Sequence, residues 1–274
     1  VASAINRRSR RDGQLLDAML DAVRIETRAA GIHAVFSPVV DVNNNPDNPI
    51  ICTRAFGDEP EVVEWFGSRY IKRLQAPKGR EGLGLLACAK HFPGHGDTDQ
   101  DSHSVLPVIN ADKPRLNRVE LPPFREAVRD GVGMVMVAHL LVPALDPAKP
   151  TTFSKKIVTA LLREGMEFDG LIVSDALDMG ALAGHYSQEE IAVRAVEAGI
   201  DVPKLGEAAD HQAGSGEEHQ RERHLDGDEQ ALQAMARNAA RSAGAVFQGF
   251  VGTGSRGADC RKQSEENSRA QRND

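Results

Sequence analysis

The segment Lys90-His91-Phe92-Pro93-Gly94-His95-Gly96-Asp97-Thr98-Asp99-Gln100-Asp101-Ser102-His103 packs one lysine, three histidines and three aspartates into fourteen residues. It is the richest stretch of the chain in groups that hold or move protons. Three readings of these residues compete. A Gly- and Pro-containing loop is polar anyway, so the cluster could be ordinary surface. His and Asp are also metal ligands, yet Pro93-Gly94 separates His91 from His95, and no helix aligns the two rings on one face as in H-E-x-x-H. The third reading is acid/base chemistry at Asp101-Ser102-His103. An imidazole titrates near neutrality, with an unperturbed pKa of ~6.5, and a carboxylate two residues away can hold the ring and stabilise its charged form.

A second candidate lies in Gly-Leu-Ile-Val-Ser-Asp-Ala-Leu-Asp-Met-Gly-Ala, residues 170–181. Asp175 follows an apolar run, so it sits at a strand end, a rigid place for a nucleophilic or metal-binding carboxylate. The competing reading makes Asp175 the cap of the next turn. Asp178, three residues on, is the weaker candidate.

These residues need elements to hold them, and the chain supplies an alternation. Residues 14–30 have helical spacing (Leu15, Leu16, Met19, Leu20, Val23, Ile25), with Gly31 as a stop. Short apolar strands are predicted at 34–36, 85–91, 133–141 and 171–174, and helices at 60–74, 120–130 and 188–198. Ser154 is placed to cap a further helix over 155–164. Strand-helix alternation with near-continuous apolar strands means a parallel sheet buried on both faces. Two architectures do this, an open doubly wound sheet and a (β/α)8 barrel. Here every strand ends in a polar group: Asp41, Lys90-His91, His139 and Asp175. Delivering chemistry from consecutive strands to one rim is the habit of a barrel. No Gly-rich phosphate loop argues for the open sheet. The α/β barrel is the expected fold.

Composition narrows the partners. Hydrophobic residues are 41%, charged residues 27%, and the net charge is -7. That balance suits a globular chain and gives no reason to expect nucleic acid or an acidic membrane as partner. No apolar run approaches the ~18 residues of a spanning helix. Cys52, Cys88 and Cys260 are an odd set without metal-ligand spacing, so a disulfide framework is excluded. The chain begins at Val1, and its true start is expected to be missing, which leaves the compartment undefined. Residues 1–13 read as a basic tail carrying Arg7, Arg8, Arg10 and Arg11. Residues 203–274 contain no Ile and little Leu, Val or Phe, too little to bury a core, and read as a polar, disordered tail.

KHFPGHGDTDQDSH, residues 90–103, closely resembles the signature of glycoside hydrolase family 3, in its β-N-acetylhexosaminidase branch. SPVVDVNNNPD (37–47), TRAFG (53–57), MVAH (136–139) and FDGLIVSDALDMGA (168–181) are similar to further blocks of that family, in the same order. The resemblance covers about residues 20–202. It implies a retaining glycosidase on a (β/α)8 barrel that needs no cofactor and no metal. Carried over by position, Asp175 matches the nucleophile, His103 the acid/base and Asp101 its partner. Arg54, Lys90 and His91 match residues that bind the terminal sugar, a small carbohydrate substrate. The histidine acid departs from the usual pair of carboxylates. One Trp and two Tyr offer no long aromatic platform, which favours trimming a terminal sugar in a pocket. The resemblance points to bacterial cell-wall fragments as substrate.

The family's D-Q-E-G-G block has no counterpart before residue 14, and Val202 runs into Pro203-Lys204 where another apolar strand is expected. An incomplete barrel domain over 14–202 follows, an arc of parallel strands with Asp175, His103 and Lys90 on one rim. Two rival readings stand beside the glycosidase. One is a metal-dependent barrel hydrolase of amidohydrolase type using Lys90, His91, His139 and Asp175. The other is an inactive remnant of the glycosidase.

Overall fold

A computed structural model describes residues 10–76 and 84–204. The centre is a parallel sheet of three strands, β1 (Cys88–Phe92), β2 (Met134–Val137) and β3 (Leu171–Ser174), paired in sequence order. Two further segments extend it in the same direction. Residues 33–40 run beside β1, with Ala34 opposite Leu86 and Val39 opposite Lys90, and Val202 runs beside Val173. Five parallel segments therefore follow one another in chain order, and all four side chains of β2 are buried. Burial on both faces explains the unbroken apolar runs of the strands.

Helices clothe the arc. α1 (Arg10–Ala29) and α2 (Pro60–Gln75) are joined by Arg69, which donates to both carboxylate oxygens of Asp17 at 2.9 Å. α2 starts at a proline, tolerated there because the first-turn N–H has no helical acceptor. It buries Val62, Val63, Gly67, Ile71 and Leu74, spaced for one helical face. α3 (Lys113–Arg118) and α4 (Pro122–Arg129) precede β2. α5 (Lys156–Gly165), α6 (Gly180–Ala183) and α7 (Gln188–Ala198) complete the set. α7 is capped at Ser187, whose hydroxyl accepts from the Glu190 N–H, and ends at Gly199 with φ 107°, where a side chain would be strained. One core cluster runs from Leu20 of α1 through Phe92, Phe124 and Val135 to Ile172 and Ala198.

Several expectations change in detail. α1 begins at Arg10, four residues before the expected 14. The strand expected at 34–36 makes only single ladder contacts, and those at 85–91 and 133–141 shorten to β1 and β2. Ser154 does not cap α5; its hydroxyl donates to Asp146 at 2.7 Å, and α5 is wound with π-type spacing. Asp146 Oδ1 already accepts from the Ala148 N–H at 3.2 Å, and the Ser154 hydroxyl supplies Oδ2, a buried acceptor that costs more to leave unpaired than a forgone cap. α3 was not foreseen. Its signal was Asp112 before Pro114, and the Asp112 side chain accepts from the Arg115 N–H. The tails called at 1–13 and 203–274 lie outside the described residues, apart from 10–13 and 203–204. Pro203-Lys204 continues the last segment: the Lys204 N–H donates to Ser174 Oγ, and the Lys204 carbonyl accepts from Leu177. No helix among the described residues is long and apolar enough to cross a membrane.

Candidate active site

The carboxyl ends of the parallel segments bring the sequence-chosen residues to one rim. Asp41 ends the first segment and is fully buried. It accepts the His91 backbone N–H at 3.1 Å, the His91 Nδ1 at 2.7 Å and the His95 backbone N–H at 2.8 Å. Burial on its own raises the Asp41 carboxyl, but the charges and hydrogen bonds of His91 and His95 outweigh it and hold the group below the ordinary carboxylate range. The ladder between β1 and β2 slips by one residue between Lys90 and Phe92, a bulge of the kind that re-aims side chains beside active sites.

Arg54 reaches the other side of the same imidazole, with Nη2 3.3 Å from His91 Nε2. A guanidinium only donates, so His91 Nε2 accepts and the ring proton lies on Nδ1, facing Asp41. Both ring nitrogens of His91 are thereby engaged. Lys90 is half-buried beside them. Its ammonium is pushed down from the usual lysine value by burial first and by Arg54 second, against the opposing pull of Asp175.

Asp175 follows β3. Its backbone N–H donates to the Val137 carbonyl at 2.9 Å, and its Oδ1 accepts from the Ala176 N–H at 2.8 Å. Burial acts to raise this carboxyl. His91, the Ala176 N–H, His139 and Lys204 together more than offset that, and the group is held below the ordinary range. It is an anion with a fixed orientation. Asp178, the weaker candidate, is exposed.

His103 belongs to a turn after β1 whose carbonyl accepts from the Gly180 N–H at 2.9 Å, so the turn leans on α6, just beyond Asp175. Asp101 Oδ1 lies 2.8 Å from His103 Nδ1. This hydrogen bond is the main cause that raises the His103 pKa above its ordinary value, with burial opposing and the charge of Asp175 adding. Asp101 is lowered in return, against its own burial. The fields of Asp175 thus bear on Lys90, His91, His95, His103 and His139 together.

Asn48 and Gly96, which the sequence did not single out, support this set together with His95 and Asp41, to which it assigned no role. His95 is buried and its pKa is pushed down to about 4, by burial first and His91 second; its Nε2 is 3.1 Å from Ser102 Oγ. Asn48 donates to the His95 and Gly96 carbonyls at 2.8 and 3.1 Å and accepts from Ile50 and Ile51. It therefore locks the turn bearing Arg54 onto the His loop. Gly96 allows that approach: a Cβ there would stand 1.8 Å from the Val42 carbonyl oxygen. Asp41 had one visible signal, its strand-end position. Among the described residues, no three His, Cys, Asp or Glu side chains converge as a metal ion requires.

A histidine held by a carboxylate, an oriented second carboxylate and the Arg54 and Lys90 cations can together move a proton and attack an electron-poor carbon. Comparison with known proteins leads the same way. Beta-hexosaminidase A of Pseudoalteromonas piscicida is 38% identical over an alignment of 193 residues that covers 66% of this chain and 31% of that protein. Beta-hexosaminidase of Chromobacterium violaceum is 39% identical over 177 residues, 65% of this chain and 47% of that one. The chain thus spans less than half the length of these relatives. Among solved structures, a glycoside hydrolase family 3 beta-N-acetylglucosaminidase from Paenibacillus sp. str. FPU-7 superposes with a TM-score of 0.67 at 42% identity, covering 70% of this chain and 36% of that one. The sequence profile described as the Glycosyl hydrolase family 3 N terminal domain matches residues 2–218. With that match over most of its length, the chain belongs to glycosyl hydrolase family 3.

Proposed function

We propose that this chain carries the catalytic rim of a retaining β-N-acetylhexosaminidase, which removes terminal β-linked N-acetylglucosamine from glycosides such as cell-wall fragments. The observation that carries this reading is the pair of Asp175 and His103, near enough for the charge of Asp175 to act on the His103 ring. Asp175 is an anion with one oxygen held, and His103 has Nδ1 committed to Asp101 and its side chain 63% exposed. Asp175 Oδ2 attacks the anomeric carbon as the bond to the departing oxygen breaks, and His103 Nε2 gives that oxygen its proton. Water then attacks the glycosyl ester and passes a proton back to His103, freeing Asp175. Arg54, Lys90 and His91 hold the terminal sugar, their donors meeting its hydroxyls. The names of the relatives support the choice of sugar.

The five ordered parallel segments support placing residues 14–202 in a (β/α)8 barrel domain, of which they form one arc, with Pro203-Lys204 continuing its last segment. Chemistry at the carboxyl ends of successive strands is the barrel's signature.

The deciding experiment compares a nitrophenyl N-acetyl-β-glucosaminide with the matching glucoside. Preferred release from the former is expected. Preference for the glucoside, or stoichiometric zinc with activity abolished by a chelator, would overturn the reading.

A further inference from the structure

His139 lies two residues past the end of β2 and is 1% exposed. Its Nε2 lies 2.8 Å from the Ala176 carbonyl oxygen, which can only accept, so Nε2 carries a proton. Its Nδ1 lies 2.6 Å from Thr152 Oγ1. Thr152 has one hydroxyl proton and two places to put it, His139 Nδ1 or the Ala138 carbonyl at 3.0 Å. The Thr151 hydroxyl already donates to that carbonyl. The carbonyl has two lone pairs, so both choices stay open to Thr152; donation to Nδ1 is the one a neutral ring requires, and burial pushes the ring toward neutrality. The chain of donors then runs one way, from the Thr152 hydroxyl to His139 to the Ala176 carbonyl. The N–H of the same residue, Ala176, is the one that holds Asp175 Oδ1 at 2.8 Å.

We propose that His139 is a positioning residue for Asp175: its Nε2–H fixes the Ala176 carbonyl, and so the residue whose N–H grips the nucleophile's carboxylate. The proposal rests on the reading of Asp175 as nucleophile. The Ala176 carbonyl also accepts from the Met179 N–H at 3.2 Å, and the Leu177 N–H of the same peptide plane donates to Lys204; without the His139 bond the carbonyl loses the shorter of its two donors, and the φ and ψ of Ala176, which link that plane to the one bearing the Ala176 N–H, are less constrained. The carboxylate then loses its fixed aim, and misplacement of about 1 Å costs roughly 100-fold in rate.

The test uses the full chain with His139→Ala, His139→Gln and Thr152→Val. In 15N-histidine spectra at neutral pH, His139 is expected as a neutral ring protonated on Nε2; a neutral ring with its proton on Nδ1 alone, which leaves no Nε2–H for the Ala176 carbonyl, overturns the proposal. The Ala176 amide proton, deshielded by the Asp175 carboxylate, is expected to move upfield in His139→Ala and to return in His139→Gln, whose side-chain N–H can take the Nε2 place. Thr152→Val, which keeps the ring and removes its support, should give a smaller movement in the same direction and covers the case in which His139→Ala does not fold. An unmoved Ala176 resonance in the folded variants overturns the proposal. In turnover, kcat should fall by about 100-fold in His139→Ala with KM nearly unchanged. A wild-type chain without turnover, but with the expected spectra, counts against the nucleophile reading alone. Normal turnover in a folded His139→Ala counts against the positioning role alone.

Discussion

One carboxylate oxygen, Asp101 Oδ1, takes both the backbone N–H of His103 at 2.7 Å and its ring Nδ1 at 2.8 Å. The ring is thus fixed in direction as well as in tautomer, and only Nε2 is left for chemistry. The pair is part-exposed, so its value lies in proton position more than in stability.

The pH dependence follows from that bond. Asp101 first, and Asp175 with it, raises His103 above its ordinary ~6.5. The imidazolium is the acid, so activity is expected to hold below the raised value and to fall as pH rises through it. Asp101→Asn removes the main cause, and the alkaline limb of the pH–rate profile should move to lower pH. The folding contribution has the same sign: present below the unfolded value, lost as pH rises through the folded one. Histidine NMR titration of both proteins checks this, and an unshifted His103 would refute the coupling.

His103→Ala should discriminate between leaving groups. An alkoxide-like aglycone needs a proton to depart and should lose about 100- to 10,000-fold in rate, whereas an activated aryl aglycone departs unaided and should lose far less. Steady-state rates on two such substrates measure the difference. Equal losses on both would count against the acid role.

Asp175→Ala is expected to abolish turnover, on the order of 10^5-fold, while leaving the fold intact. With a slow fluorinated substrate, mass spectrometry should find a sugar ester on Asp175. A label on the exposed Asp178 instead would refute the assignment.

Asp41→Asn should be costly to stability. The carboxylate is fully buried and serves the His91 ring and the backbone N–H groups of His91 and His95. Removing one partner of a buried pair costs roughly 3–5 kcal/mol, readable by urea unfolding. The Asp41 carboxyl is lowered in the fold, so its contribution is present above the unfolded carboxylate value of ~3.9 and is lost as pH falls through the folded value. The variant should lose that part of the acid dependence; an unchanged acid profile would contradict it.

Asn48→Ala should weaken substrate binding more than chemistry. The side chain satisfies two carbonyls of the His loop and two amides beside Arg54, and its loss leaves buried groups unpaired at about 1–3 kcal/mol each. Freed from the loop, the turn no longer fixes Arg54 against His91, so KM should rise while His103 still titrates as in the wild type. An unchanged KM would show that Arg54 is held by other contacts.

Much of this protein was legible in its sequence because the signals were local. β3 and α7 stand where apolar runs and helical spacing predicted them, since a four-residue strand buried on both faces and a capped amphipathic helix are written in adjacent residues. Strand-end positions likewise put Asp41, Lys90, His91, His139 and Asp175 on one rim, because parallel strands all present their carboxyl ends to the same side. Spacing also paired Asp101 with His103, two residues apart.

Only the tertiary structure decided which partners those groups take. Asp41 meets His91 across 50 residues, Asn48 meets His95 across 47, and His139 meets Ala176 across 37. No periodicity records such bonds, because they depend on strand register and on which loops close over one another. The same competition turned Ser154 from a helix cap into the partner of Asp146. A residue type tells what bond it can make; the burial of its neighbours decides which bond it must make, since an unsatisfied buried group costs more than a forgone local one.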